Sequence, residues 1–205
     1  MFLKKLIIEL NNGLEDYAFT APYPVQKASI PKIKSGANCL VIAPEKAGKS
    51  TALVIAIIQQ LKKALNDVPR AIIVVPDKAS AITLKETFDQ IGKYTDLRVF
   101  TVTEGRDINS IKHEIYVGSD IIIGTVKRLN ELYSASGLNL NDLQIFAIDD
   151  AIMVLRNDPL TQIDRWREIL HRKIQYLIFS SENSEKLMRF IDKWDINIIP
   201  IKTAE

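Results

Sequence analysis

Seven short runs of β-branched and apolar residues alternate with helix-patterned segments, and that alternation restricts the fold more than any other feature of the chain. The runs are Asn38 to Ala43, Ala71 to Val75, Leu97 to Val102, Asp120 to Thr125, Gln144 to Asp149, Gln175 to Ser180 and Ile196 to Ile201. Several are apolar almost throughout, as strands covered on both faces must be. Helical periodicity marks Lys49 to Asn66, Lys78 to Tyr94, Asp107 to Tyr116, Val126 to Ser134, Leu160 to His171 and Ser184 to Lys193. Strands alternating with helices mean βαβ units, hence an α/β fold with a mostly parallel sheet of about seven strands. Right-handed crossovers then place functional loops at the carboxyl ends of the strands. At 205 residues the chain has room for one such domain and not two, and no internal repeat or long linker divides it.

Between the first strand run and the next helix pattern lies Ala43-Pro44-Glu45-Lys46-Ala47-Gly48-Lys49-Ser50, followed by Thr51. It meets the phosphate-loop pattern G-x-x-x-x-G-K-[ST] except at the first position, where Ala43 replaces glycine. In such a loop the backbone N–H groups from Lys46 to Thr51 and the positive end of the helix dipole cradle a phosphate. Lys49 reaches between the β- and γ-phosphates, and the Ser50 hydroxyl ligates Mg²⁺. The same stretch also reads as a strand–turn–helix junction in which Gly48 merely supplies a permissive backbone. Lys46 stands in a loop whose tightness usually calls for glycine. Its Cβ narrows the loop or its ammonium adds attraction for phosphate, and the residues alone leave both open.

Composition narrows the class further. A chain 47% hydrophobic and 25% charged reads as a soluble globular protein with a core of its own. The single cysteine, Cys39, cannot form an internal bridge, which fits a reducing cytoplasm, and it reads as a small core residue near a strand start. Leu3, Leu6, Ile7 and Leu10 stand at helical spacing, interrupted by Lys4, Lys5 and Glu9, so the N-terminus reads as an amphipathic helix rather than a secretion signal. No run approaches the roughly 20 apolar residues of a membrane span. A net charge of +2 permits nucleic-acid binding without arguing for it. His113 and His171 lack partners at metal-ligand spacing, and Trp166 and Trp194 read as packing residues.

Upstream of the phosphate loop stands Phe19-Thr20-Ala21-Pro22-Tyr23-Pro24-Val25-Gln26. This run resembles the Q motif of DEAD-box RNA helicases, and Phe2, 17 residues before Phe19, fits that family's isolated upstream aromatic. The resemblance makes Gln26 the reader of the adenine edge, since an amide offers both donor and acceptor, and Phe19 its stacking partner. A proline-rich turn leading into a helix capped near Tyr23 is the plainer alternative. The likeness continues in order to about Ile201. Val75-Pro76-Asp77-Lys78-Ala79-Ser80-Ala81 lies where the family has Pro-Thr-Arg-Glu-Leu-Ala, Gly105 where a Gly-Gly element is expected, and Thr125-Val126-Lys127-Arg128-Leu129 where Thr-Pro-Gly-Arg-Leu is expected. By position Lys78, Gly105, Thr125 and Arg128 become RNA-facing candidates, against the plain reading of solvated surface for Lys78, Lys127 and Arg128. Lys78 keeps the charge of the arginine it replaces but loses bidentate geometry, and Asp77 replaces a threonine.

Asp149-Asp150-Ala151-Ile152, after a strand run, resembles Asp-Glu-Ala-Asp. The resemblance gives Asp149 to Mg²⁺ through water and Asp150 to the attacking water, one methylene shorter than the family's Glu. Ile152 replaces the final Asp, and Ser180-Ser181-Glu182 stands at the place of Ser-Ala-Thr. The resemblance therefore implies residues 1–205 as a single RecA-like domain, a three-layer α/β sandwich, with motifs at 19–26, 43–50, 149–152 and 180–182. It implies ATP and Mg²⁺ as ligands and RNA as partner. Hydrolysis is expected to be weak, or dependent on a protein partner or on the second RecA-like domain that this stretch lacks. Two other readings stay open: a degenerate pseudo-helicase serving as an interaction module, and a small-molecule P-loop kinase.

Overall fold

A computed structural model of the chain describes residues 6–158, 160–170 and 173–203. Phe2, Leu3 and His171, each given a reading above, lie outside the described residues. The strands are β1 (Cys39–Ile42), β2 (Ala71–Val74), β3 (Val99–Val102), β4 (Ile121–Gly124), β5 (Ile145–Ile148), β6 (Gln175–Ser180) and β7 (Ile199–Lys202). They form one seven-stranded sheet in the order β3-β4-β2-β5-β6-β1-β7, and every pairing is parallel.

Side chains alternate across the sheet, as the pleat demands. Ala71, Ile73, Ile121, Ile123, Ala147, Leu177 and Phe179 enter one core, while Ile72, Val74, Ile122, Phe146, Ile148 and Ile178 enter the other. The first core is closed by α1 (Ile8–Asp16), α2 (Pro24–Lys34), α3 (Lys49–Leu61) and α4 (Lys78–Ile91). The second is closed by α5 (Ile108–Tyr116), α6 (Val126–Ser134), α7 (Ala151–Asn157), α8 (Leu160–Ile169) and α9 (Glu185–Trp194). Burial on both faces explains why the strand runs are apolar without alternation. Trp166 and Trp194 flank Phe146 at ring distances of 5.7 and 5.8 Å, and Cys39 is fully buried as the first residue of β1. None of the described helices is long and apolar enough to cross a membrane.

Several boundaries differ from the sequence expectation, and the structure gives the reason for two of them. Helix α3 stops at Leu61 rather than Asn66, because the Leu61 and Lys63 carbonyls accept hydrogen bonds from the Arg70 guanidinium at 3.3 and 2.6 Å. These tertiary bonds outcompete continuation of the helix. The last strand begins at Ile199 rather than Ile196, since the Asn197 carbonyl is taken by the Asn38 side chain at 3.1 Å. Its Pro200 is tolerated at a sheet edge. Helices α2 and α7 were not marked by periodicity: α2 carries Pro31 inside it and α7 is only seven residues long.

At the amino ends of β2, β3 and β4 sits a buried charge cluster. Asp120 is wholly buried; its Oδ1 accepts from Arg70 at 2.7 Å and its Oδ2 from the Arg98 Nε at 2.9 Å. Arg98 also pairs with Asp67 at 2.7 Å. Burial alone would push the Asp120 carboxyl up, but hydrogen bonds from Arg98, Arg70 and the Leu65 amide hold it below the usual carboxylate range.

Candidate nucleotide site

The site grows from the carboxyl end of β1. The loop between Ile42 and α3 contains two left-handed residues, Lys46 (φ 62°) and Gly48 (φ 86°). A Cβ at Gly48 would lie 2.7 Å from the Gln26 amide nitrogen and 2.8 Å from the Tyr23 ring, so only glycine fits. Lys46 adopts the same region at a backbone cost of about 1–2 kcal/mol, and its side chain is exposed. Ala43 is buried and its amide donates to the Ser180 carbonyl at 3.2 Å, so a methyl at the motif's first position packs into the core. The first-turn amides of α3, Lys49 to Thr51, precede the first intrahelical bond, from Ala52 to the Gly48 carbonyl at 3.0 Å. They face the loop unspent, as an anion site at a helix start requires.

Three charged groups, Lys49, Asp149 and Asp150, meet there. The Lys49 ammonium donates to the Ala43 and Pro44 carbonyls at 2.8 and 2.6 Å. Burial pushes its pKa down, opposed by the carboxylates of Asp150, Asp149 and Glu45. The Ser50 hydroxyl donates to Asp149 Oδ2 at 2.8 Å, joining the loop after β1 to the end of β5 across the intervening β6. Asp149 is buried, and burial pushes its pKa up to about 6, with Asp150 adding to the rise and Ser50 and Lys49 opposing it. Asp150 precedes α7 in the left-handed region (φ 56°, ψ 60°). Its Oδ1 is buried without a hydrogen-bond partner, and burial raises its pKa. Two adjacent carboxylates, one with a buried oxygen that has no hydrogen-bond partner, suit a divalent ion that completes its shell with phosphate and water. Among the described residues no cluster of three or more His, Cys, Asp and Glu exists that could hold a metal by itself.

Gln26 belongs to the same assembly. It is fully buried at the third position of α2, its Oε1 accepting from the Tyr23 amide at 2.8 Å and its Nε2 donating to the Gly48 carbonyl at 3.3 Å. The proline-rich turn and capped helix of the plainer reading are therefore real, and they deliver Gln26 onto the phosphate loop. Phe19 is half-buried against the core beside α1. Ser180 turns its hydroxyl onto the Glu182 carbonyl at 2.7 Å, and Ile152 is half-buried in α7.

The remaining candidates cluster at the carboxyl ends of β2, β3 and β4. Lys78 opens α4 and donates to the Glu104 carbonyl at 3.3 Å; Gly105 is left-handed at φ 86°. Thr125 caps α6 and donates its hydroxyl to Glu104 Oε1 at 3.1 Å. Arg128 is buried rather than splayed outward, its guanidinium bound to Glu131 and, at 2.6 Å, to the Arg106 carbonyl. Asp77, the residue that replaces a threonine, caps α4 by accepting from the Ser80 amide at 2.7 Å. Sequence reasoning missed Glu104, whose signal was its place beside Gly105 where a glycine pair was expected. A separate cavity of about 600 Å³, bordered by Asp67, His113, Tyr116 and Ser136, lies at the opposite, amino ends of the strands.

The Asp149 shift predicts a trade between stability and charge. A carboxyl raised to about 6 favours folding while protonated, so that contribution is present below the ordinary 3.8 and is lost as pH rises through 6. Asp149→Asn is therefore expected to stabilise the metal-free chain by about 1–3 kcal/mol near neutral pH, read from urea midpoints. The gain should vanish at pH 4; a gain independent of pH would contradict the shift.

The model of the DEAD/DEAH box helicase family matches residues 23–188. An ATP-dependent RNA helicase of Scheffersomyces stipitis is 28% identical over 199 residues, covering 93% of this chain and 38% of that protein. DEAD-box ATP-dependent RNA helicase 8 of Arabidopsis thaliana is 26% identical over 196 residues, covering 96% of this chain and 38% of that protein. The chain thus spans less than two fifths of these relatives' length. Among solved structures, a DEAD box protein from the hyperthermophile Methanococcus jannaschii superposes with a TM-score of 0.86 at 20% identity, over 96% of this chain and 54% of that one. Saccharomyces cerevisiae dbp5 bound to nup159, gle1 and ADP gives 0.81 at 19% identity, over 98% of this chain and 53% of that one. Both likenesses show the RecA-like fold. The chain belongs to the DEAD/DEAH box helicase family.

Proposed function

We propose that residues 1–205 act as one ATP-binding, RNA-helicase-like domain whose hydrolysis is weak, or depends on a protein partner or a second RecA-like domain. The observation that carries this reading is the 2.8 Å bond from Ser50 to Asp149, which brings the phosphate loop and the acidic motif together. In the bound state Lys49 leaves the Ala43 and Pro44 carbonyls for the β- and γ-phosphates, and the amides of Lys49 to Thr51 receive phosphate oxygens. Ser50 and Asp149 would hold Mg²⁺, Asp149 by way of water, and the ion when bound would supply positive charge against the phosphates. Gln26 has a second amide hydrogen and a second lone pair to give adenine, but would have to emerge from its fully buried position to do so. Phe19 would have to swing from the core to stack on the base. Lys78, Gly105 and Thr125 would hold RNA phosphates, with Arg128 joining only after leaving Glu131. The lone buried Cys39 supports a cytoplasmic setting.

Asp150 is the weak element. A carboxylate one methylene short retreats by about 1.5 Å, and a misplacement of about 1 Å can slow a reaction on the order of 10²-fold. Asp150→Glu is expected to raise ATP-dependent phosphate release at least roughly tenfold, measured with RNA present. Unchanged release in that variant would remove the shortened carboxylate as the cause. A second reading, an interaction module without turnover, draws on Ser180 turning to Glu182 and on the apolar Ile152. It expects ATP binding with no release in either wild type or Asp150→Glu.

A further inference from the structure

Glu104 sits in the middle of the face on which Lys78, Gly105 and Thr125 converge. Its Oε1 accepts the Thr125 hydroxyl proton at 3.1 Å, and its backbone carbonyl accepts Lys78 at 3.3 Å. A hydroxyl has one proton to give. The Thr125 oxygen is also committed as an acceptor, capping α6 at the Arg128 amide. A phosphate oxygen only accepts, so a phosphodiester reaching Thr125 needs the same proton that Glu104 holds. Neither nearby guanidinium is given to the carboxylate, because Arg106 pairs with Glu114 and Arg128 with Glu131, and the Lys78 ammonium is bound to the Glu104 backbone carbonyl rather than to its side chain. Its field extends across the face: Asp158 has its carboxyl raised by burial and further by Glu104.

From this geometry we propose that Glu104 is an intramolecular competitor for RNA phosphate, its carboxylate occupying the Thr125 hydroxyl that the backbone of a single strand would otherwise take. The inference rests on the RNA-binding reading of this face. Binding then requires Glu104 to swing away, which it can do because its side chain is exposed. Glu104 thereby sets how tightly this face holds RNA, and makes affinity depend on displacing one negative charge.

The test is fluorescence anisotropy with labelled single-stranded oligouridylate at low salt. Glu104→Ala should bind roughly three- to tenfold tighter than wild type. Glu104→Gln, which keeps an acceptor but no charge, should fall between them. The gain should shrink as salt rises, and Thr125→Val added to Glu104→Ala should erase it. If wild-type binding depends on Thr125 while Glu104→Ala binds no tighter, the competition is overturned and the RNA reading stands. If Glu104→Ala gains affinity that Thr125→Val does not erase, the shared proton is not the cause and the proposal fails. No salt-sensitive binding in wild type or Glu104→Ala overturns both.

Discussion

Replacing Asp120 with alanine is expected to destabilise the chain by about 3–5 kcal/mol, because one buried carboxylate answers two guanidinium groups. Arg70 is 3% exposed and would keep its bonds to the Leu61 and Lys63 carbonyls while losing its counter-charge. Domains hold only about 5–15 kcal/mol in all, so much of the variant should be unfolded at physiological temperature. The cluster also ties together the end of α3, the start of β2, the start of β4 and the residue before β3, so the loss spreads along the amino ends of the strands. Urea unfolding reads the effect as a lower midpoint with an unchanged slope. A variant within about 1 kcal/mol of wild type would mean that the pair contributes little net energy, as exposed pairs do. The pH dependence has a definite sign. Because the folded carboxyl lies below its ordinary 3.8, its contribution is complete above that value and is lost as pH falls through the folded value.

Lys49→Ala is expected to weaken ATP binding on the order of 10²-fold, the loss of a charge-assisted contact of about 2–3 kcal/mol. Two further effects accompany it. The Ala43 and Pro44 carbonyls lose the ammonium that bridges them, and Asp149 and Asp150 lose the nearby cation that opposes their raised pKa values. The nucleotide series separates these effects from charge loss alone. ATP should suffer most, ADP less and AMP little, because Lys49 is assigned to the β- and γ-phosphates. Equal losses for all three would point to a collapsed loop instead, and unchanged ATP affinity would remove Lys49 from the site.

The layers of the fold were legible because burial on both faces imposes a local signature: Ala71 to Val74 and Ile121 to Gly124 are apolar in every register. The phosphate loop was legible for a similar reason, since a left-handed glycine, a lysine and a hydroxyl must follow one another directly. What escaped was set by groups far away in the chain. The end of α3 depends on Arg70, and Arg70 depends on Asp120, 50 residues further on. Arg128 reads as a free cation in sequence but is held by Glu131 and the Arg106 carbonyl. Gln26 was legible as a motif residue, yet its contact with the Gly48 carbonyl spans 22 residues and no periodicity records it. Glu104 is not legible in sequence because its partner, the Thr125 hydroxyl, stands 21 residues further along the chain.

Ser50 and Asp149 are the pair proposed to hold the metal that accompanies ATP. Calorimetric titration of ATP into wild type and Asp149→Asn, each with Mg²⁺ and with EDTA, tests that claim most directly. Wild type should bind at least about tenfold tighter with Mg²⁺, while Asp149→Asn should bind with nearly the same affinity in both conditions. An Asp149→Asn variant that keeps the full Mg²⁺-dependent gain would contradict the assignment of the metal to this pair.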